Sequence, residues 1–148
     1  MVHALSEIRR VLIPSGILID LRPMLSRWEV EVASAREANI TGRVNDFEVG
    51  LADDTAANRS MTEAESNGWF IREREEFFAY VYSWDTPHDM EEWIDDEWND
   101  FIELDEATQK STRSAWALSD GDARAQLRMK MLIGRWRRGG SRIGGLEN

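Results

Sequence analysis

An α/β fold is what this sequence predicts, and three features carry the expectation. The stretch Ala4–Pro23, ALSEIRRVLIPSGILIDLRP, reads as a helix, a tight turn and a buried strand. Trp69–Trp84, WFIREREEFFAYVYSW, is the longest strand signal in the chain. Helical and strand patterns alternate around these along 148 residues, a length that suits one domain with a real core.

Taken in order, Leu5, Ile8, Val11 and Leu12 recur at helical spacing, with Glu7, Arg9 and Arg10 opposite. Pro14 disfavours helix at Ile13, and Pro14-Ser15-Gly16 supplies a turn. Ile17-Leu18-Ile19 is a continuous apolar run that closes on Asp20. Continuous rather than alternating apolarity predicts a strand covered on both faces, as in a parallel sheet flanked by helices.

Residues 24–49 read as an insertion shaped as a hairpin. Trp28–Val32 alternates as a half-exposed strand, Ala38–Gly42 turns the chain, and Val44–Val49 returns it with Phe47 inward. Gly50–Asn67 predicts a helix with Leu51, Ala52, Ala56, Met61 and Ala64 apolar, stopped by Gly68. In the strand that follows, apolarity on both faces from Phe77 onward predicts a place inside a sheet. Thr86-Pro87-His88-Asp89 then marks a helix start: Thr86 can cap, Pro87 fits the first turn, and Asp89 can complete a capping box. Met90, Trp93, Ile94, Trp98 and Phe101 form its expected buried stripe. A further helix over Asp105–Leu118 packs Ala107, Ser111, Ala115 and Trp116, and Ser119-Asp120-Gly121-Asp122 breaks it. Leu127, Met129, Met131 and Ile133 alternate with Arg128 and Lys130 in a last strand reaching Trp136. Residues 1–138 thus form the folded part, and 139–148, with four glycines, a flexible tail.

Composition narrows the function classes. A net charge of −10 disfavours nucleic acid and anionic membrane as partners. With no cysteine there is no disulfide framework, thiolate chemistry or cysteine metal site. No apolar run approaches the roughly 20 residues of a spanning helix, and no signal peptide is visible, so a cytoplasmic location is expected.

The opening stretch resembles a segment of the class I S-adenosylmethionine-dependent methyltransferases. There an E-I-x-R-V-L-K-P-G-G turn joins a helix to the fifth strand of a Rossmann-like sheet. Glu7, Ile8, Arg10, Val11, Leu12, Pro14 and Gly16 match; Ile13 stands for the usual Lys and Ser15 for the first Gly. The resemblance covers about twenty residues. It implies a partial Rossmann-like methyltransferase fold, the carboxyl-terminal half, whose mixed sheet has its last strand antiparallel between the fifth and sixth.

The family's cofactor site uses a Gly-rich loop after the first strand and an acidic residue after the second. Neither is present, so no cofactor-binding residue is carried over. Asp20 and Arg22 lie at the carboxyl end of the central strand, where open α/β sheets bind ligands. They are substrate-side candidates, against a simpler role as an ion pair fixing the strand's exit. Trp28 and Trp84 lie near strand ends, as core residues or as pocket walls. The acidic run Asp89–Glu106 lacks Lys and Arg, yet one helix face gives poor geometry for a cation, so no metal site is expected. His88 has no partner in sequence for base catalysis, and a surface or capping role is expected. Arg135-Trp136-Arg137-Arg138 resembles a small RNA-binding tail, but the arginines are expected to end the last strand and pair with the acidic helix.

These readings combine into an expectation: the substrate side of a methyltransferase-like protein acting on a small molecule. It binds no cofactor by itself, and S-adenosylmethionine binds only if an amino-terminal half completes it. The alternatives are a noncatalytic binding or assembly module that keeps the half-fold, and a small stand-alone α+β protein. A half-sheet leaves an open edge, so a homodimer or a complementing chain is expected.

Overall fold

The computed structural model describes residues 2–140. Helix α1 (Val2–Val11) leads to β1 (Ile17–Pro23), β2 (Glu29–Ala33), β3 (Ala38–Arg43) and β4 (Asn45–Asp46). Then come α2 (Glu48–Ser66), β5 (Phe70–Trp84), α3 (Pro87–Glu97), β6 (Ile102–Glu103), α4 (Glu106–Leu118) and β7 (Arg124–Arg138). The α/β class is therefore found.

β7 organises the main sheet. It pairs with β1, β2 and β5, and β2 pairs in turn with β3. β2 is antiparallel to both neighbours, with Glu29 opposite Arg43 on β3 and opposite Arg128 on β7. Two backbone bonds bracket the β1–β7 pair: Arg138 N–H to Gly16 C=O, and Met24 N–H to Lys130 C=O, each 2.8 Å. Residue numbers ascend in opposite senses across them, so this pair is antiparallel too. β4 and β6 form a separate antiparallel pair.

The chain divides into two compact units, and β5 and β7 contribute to both. The first comprises the described residues of 1–22, 55–76 and 132–148. Its core joins Leu5 of α1, Met61 and Ala64 of α2, Phe70 of β5 and Trp136 of β7, with Ile8, Leu12, Leu18 and Trp69 half-buried against them. Removing one such large side chain from water contributes about 1.5–3 kcal/mol. Helix α2 stops in a Schellman motif: Gly68 takes φ +69° and its N–H bonds Glu65 C=O, while Trp69 N–H bonds Ala64 C=O.

The second unit comprises 23–54 and 77–131. Trp28, Val30, Val44, Met90, Ile94, Ile102, Leu104, Ala125, Leu127 and Met129 form its core. Around Tyr82 the aromatic rings lock edge to face, Tyr82–Trp98 at 5.4 Å and Trp28–Trp98 at 6.2 Å. Thr86 caps α3 through the reciprocal bonds of a capping box with Asp89, and Pro87 opens the helix. Asp105 caps α4 by accepting from Thr108 N–H at 2.7 Å.

Several expectations are corrected. β1 is covered on one face only: Leu18 packs into the core, while Ile19 and Leu21 are 52% and 56% exposed. Nor is β5 inside the sheet. Among the described residues it pairs with β7 alone, and Ile71–Tyr80 are all exposed. Its charged run from Arg72 to Glu76 suits an edge in water, with Arg72 pairing Glu65 and Glu75. The hairpin returns through Ala38–Arg43 rather than Val44–Val49, because the chain turns at Ser34–Glu37, where Ser34 N–H bonds Glu37 C=O. In α2, Ala57, Ser60, Met61 and Ala64 are buried, and Leu51, Ala52 and Ala56 are exposed. In α3, Met90 and Ile94 are buried and Trp93 and Phe101 exposed. On α4, Thr108 and Thr112 are buried, with Thr112 Oγ1 2.7 Å from Thr41 Oγ1. Ala115 and Trp116 are half-buried as expected, while Ala107 and Ser111 are exposed. On β7 the buried set shifts phase after Met131, so Leu132 rather than Ile133 is buried. Gly139 is also buried and donates to Trp69 C=O, while 141–148 of the expected tail lie outside the described residues.

Candidate functional site

Asp20 and Arg22 form an ion pair in the first unit, Arg22 Nε to Asp20 Oδ1 at 3.2 Å. Arg22 Nη2 also donates to Asn58 Oδ1 on α2 at 2.6 Å. These bonds fix the strand's exit through Nε and Nη2, while Arg22 Nη1 is buried with no partner among the described residues. Trp28 is a core residue whose ring N–H donates to Met24 C=O at 2.8 Å. Trp84 stacks on Tyr82 at 5.6 Å, half-buried against the same core. Of the four candidates, Trp28 lines a cavity.

That cavity is a cleft of about 340 Å³ in the second unit. Its wall runs along Ser26–Glu29 and Arg43, then Phe77–Ala79 of β5 and Arg128–Lys130 of β7. Antiparallel register builds it, since Arg43 and Arg128 each sit opposite Glu29. Arg43 Nη2 bonds Glu29 Oε1, and Arg128 Nη2 bonds Glu31 Oε1 at 2.8 Å. Glu31 is 4% exposed at its side chain, so Arg128 is held by a buried carboxylate. Lys130 Nζ sits 4.3 Å from the Phe77 ring centroid, a cation–π contact. Arg27 takes φ +52°, with its N–H donating to Asp46 Oδ2 and its C=O accepting from Arg43 Nη1.

Sequence reasoning missed Arg27, Arg43, Phe77, Phe78, Arg128 and Lys130 as a group. A partial signal was present: Arg128 and Lys130 alternate with Leu127 and Met129 and so share the face away from the core. Which strand brings Phe77 beside them was not readable.

A second groove, about 350 Å³, is lined by His88, Glu91, Glu92, Asp95, Asp96, Gln109 and Arg113. Arg113 forks onto Glu91, and that bond and charge hold its guanidinium above its usual pKa. Among the described residues, no group of three or more His, Asp or Glu is placed to hold a metal ion. The expected link between the Arg135–Arg138 arginines and the acidic helix is not what forms. Arg135 and Arg137 both pair with Glu73 on β5, Arg138 bonds Leu12 C=O, and Trp136 is core.

No described helix is long and apolar enough to cross a membrane. No protein-family model, curated protein or solved structure matches this chain.

Proposed function

We propose that this chain is the substrate-side portion of an S-adenosylmethionine-dependent methyltransferase-like protein. The observation that supports this most is the placing of β7. It pairs with both β1 and β5, the relation that the last strand of that family has to the fifth and sixth. Helices α1 and α2 pack with Leu18, Phe70 and Trp136 in one core, as flanking helices of such a sheet do. On this reading β2 and β3 are an insertion on the substrate side, and the substrate is a small molecule. The cofactor binds to residues outside this sequence, the chain alone is inactive, and its setting is the cytoplasm, with neither nucleic acid nor membrane as partner.

One observation favours a second reading, a noncatalytic assembly module. Among the described residues β1 pairs with β7 alone, and Arg22 is bound to Asp20 and to Asn58 at the place where substrate contacts belong. The open β1 edge calls for a second copy or a complementing chain.

Calorimetric titration of S-adenosylmethionine tests the first reading. The chain alone shows no submillimolar binding. Binding appears when it is produced with a Gly-rich strand-loop-helix segment encoded in frame upstream. Submillimolar affinity of the chain alone contradicts the proposal, and an upstream region without such a segment favours the module.

A further inference from the structure

We infer that the cleft beside Phe77 binds a small anion carried on a planar ring. This inference rests on the cleft alone and stands whether or not the chain takes part in methyl transfer.

Charge is the first argument. The lining carries four cations, Arg27, Arg43, Arg128 and Lys130, and one carboxylate, Glu29, which pairs with Arg43. Glu31 pairs with Arg128 and Asp105 feels the charge of Arg27, which leaves Lys130 as the lining cation with no carboxylate near it among the described residues. The whole chain carries −10, so this concave cationic patch opposes the sign of its surroundings. A cleft of one sign focuses field lines and draws the opposite charge. Arg43 and Arg128 are each anchored on one side by a glutamate, which leaves further N–H donors of each fork unused. Among the described residues, Lys130 has no carboxylate within ion-pair distance, and its contact is the Phe77 ring. Arg27 is fixed through both its N–H and its C=O in a left-handed backbone conformation that non-glycine residues adopt at a cost.

Shape is the second. Phe77 and Phe78 are 54% and 41% exposed on a strand whose other aromatic end, Tyr82 and Trp84, is packed. The exposed Phe77 ring beside the Lys130 ammonium suits a ligand that stacks while its anion is neutralised. A cavity of about 340 Å³ fits a small ligand. A nucleoside monophosphate and an aromatic carboxylate share this chemistry. Single-stranded nucleic acid would use the same groups, but the net charge opposes a long polyanion.

Tryptophan fluorescence and calorimetry on the full chain test it, with AMP, 2-naphthoate, adenosine and inorganic phosphate as probes. AMP or 2-naphthoate binds about two- to fivefold tighter than adenosine or phosphate, the range one exposed charge pair supplies. Tighter AMP assigns the anion as phosphate, and tighter 2-naphthoate as carboxylate. Lys130→Gln, on an exposed strand position, weakens binding by a similar factor, while Lys110→Gln on α4, outside the cleft, leaves it unchanged. Three results overturn the inference: no binding of either anion at millimolar concentration, equal effects of the two lysine variants, or an oligonucleotide binding far more tightly per phosphate than AMP. S-adenosylmethionine binding does not enter these outcomes, so this inference and the proposed function fail separately.

Discussion

Ser15 shows how one residue can carry a turn at a cost. It sits at φ +61°, and a Cβ on the next residue, Gly16, would lie 2.9 Å from Ile13 C=O. Glycine is needed at Gly16 for close approach, while Ser15 bears the left-handed backbone. That conformation costs a side-chain-bearing residue roughly 1–2 kcal/mol, partly offset by glycine's larger loss of chain entropy of about 0.5–1 kcal/mol. Ser15→Gly is therefore expected to raise stability by about 0.5 kcal/mol in urea titration, and a loss would show that the hydroxyl has a role of its own. Glu73 makes a second case. The hydrogen bond from Arg137, with the charge of Arg135 beside it, holds its carboxyl below the ordinary 4.5. Asp105 is lowered from 3.8 by the N–H of Thr108. Folded values below unfolded ones mean stability present above the ordinary carboxylate range and lost as pH falls through the folded values. Thermal melts from pH 6 to pH 2.5 are expected to fall in that window, and Glu73→Gln to flatten the fall. A variant curve parallel to the native one would remove Glu73 from the account.

At the scale of elements, what was legible was what local chemistry writes. Thr86, Pro87 and Asp89 announced α3, and the capping box forms as they predict. Gly68 announced the end of α2, and Pro14 the end of α1. Thr86→Ala is expected to cost about 1 kcal/mol by removing the cap, measured by chemical denaturation, and Thr86→Ser to restore most of it. A Thr86→Ala variant of unchanged stability would show that Pro87 and α3 packing set the helix start alone. Pairing was not legible, because it depends on partners far along the chain. The apolar run Ile17–Ile19 predicted cover on both faces, yet Ile19 and Leu21 stay more than half exposed. The aromatic run of β5 predicted an interior strand, but its middle is exposed and the Phe77 ring lies over Lys130 in the cleft instead. The cleft itself depends on the register of β2, β3 and β7, which brings Arg43, Glu29 and Arg128 into one row. The four candidates Asp20, Arg22, Trp28 and Trp84 were drawn from strand ends. Three of them serve ion pairing or aromatic packing away from the cleft.

At the scale of the whole molecule, the central claim is that β1 belongs to a larger sheet than this chain provides. Its outer edge pairs with nothing described, and the hairpin of β2 and β3 joins β7 and leaves that edge open. Asp20 and Arg22 point inward on β1 and Pro23 ends it, yet Ile19 and Leu21, alternating with them, stay exposed. Ile71 and Ile133 of the same unit are also exposed. Apolar surface of this kind marks an interaction site when it is contiguous. The strong negative charge works against self-association, so salt that screens it should strengthen the contact. Sedimentation equilibrium at micromolar concentration, in low and moderate salt, tests this most directly. The account predicts a species of twice the 17.1 kDa chain mass, favoured by salt and lost in Ile19→Lys. A monomer at 17.1 kDa in both salts, with Ile19→Lys unchanged, would contradict it.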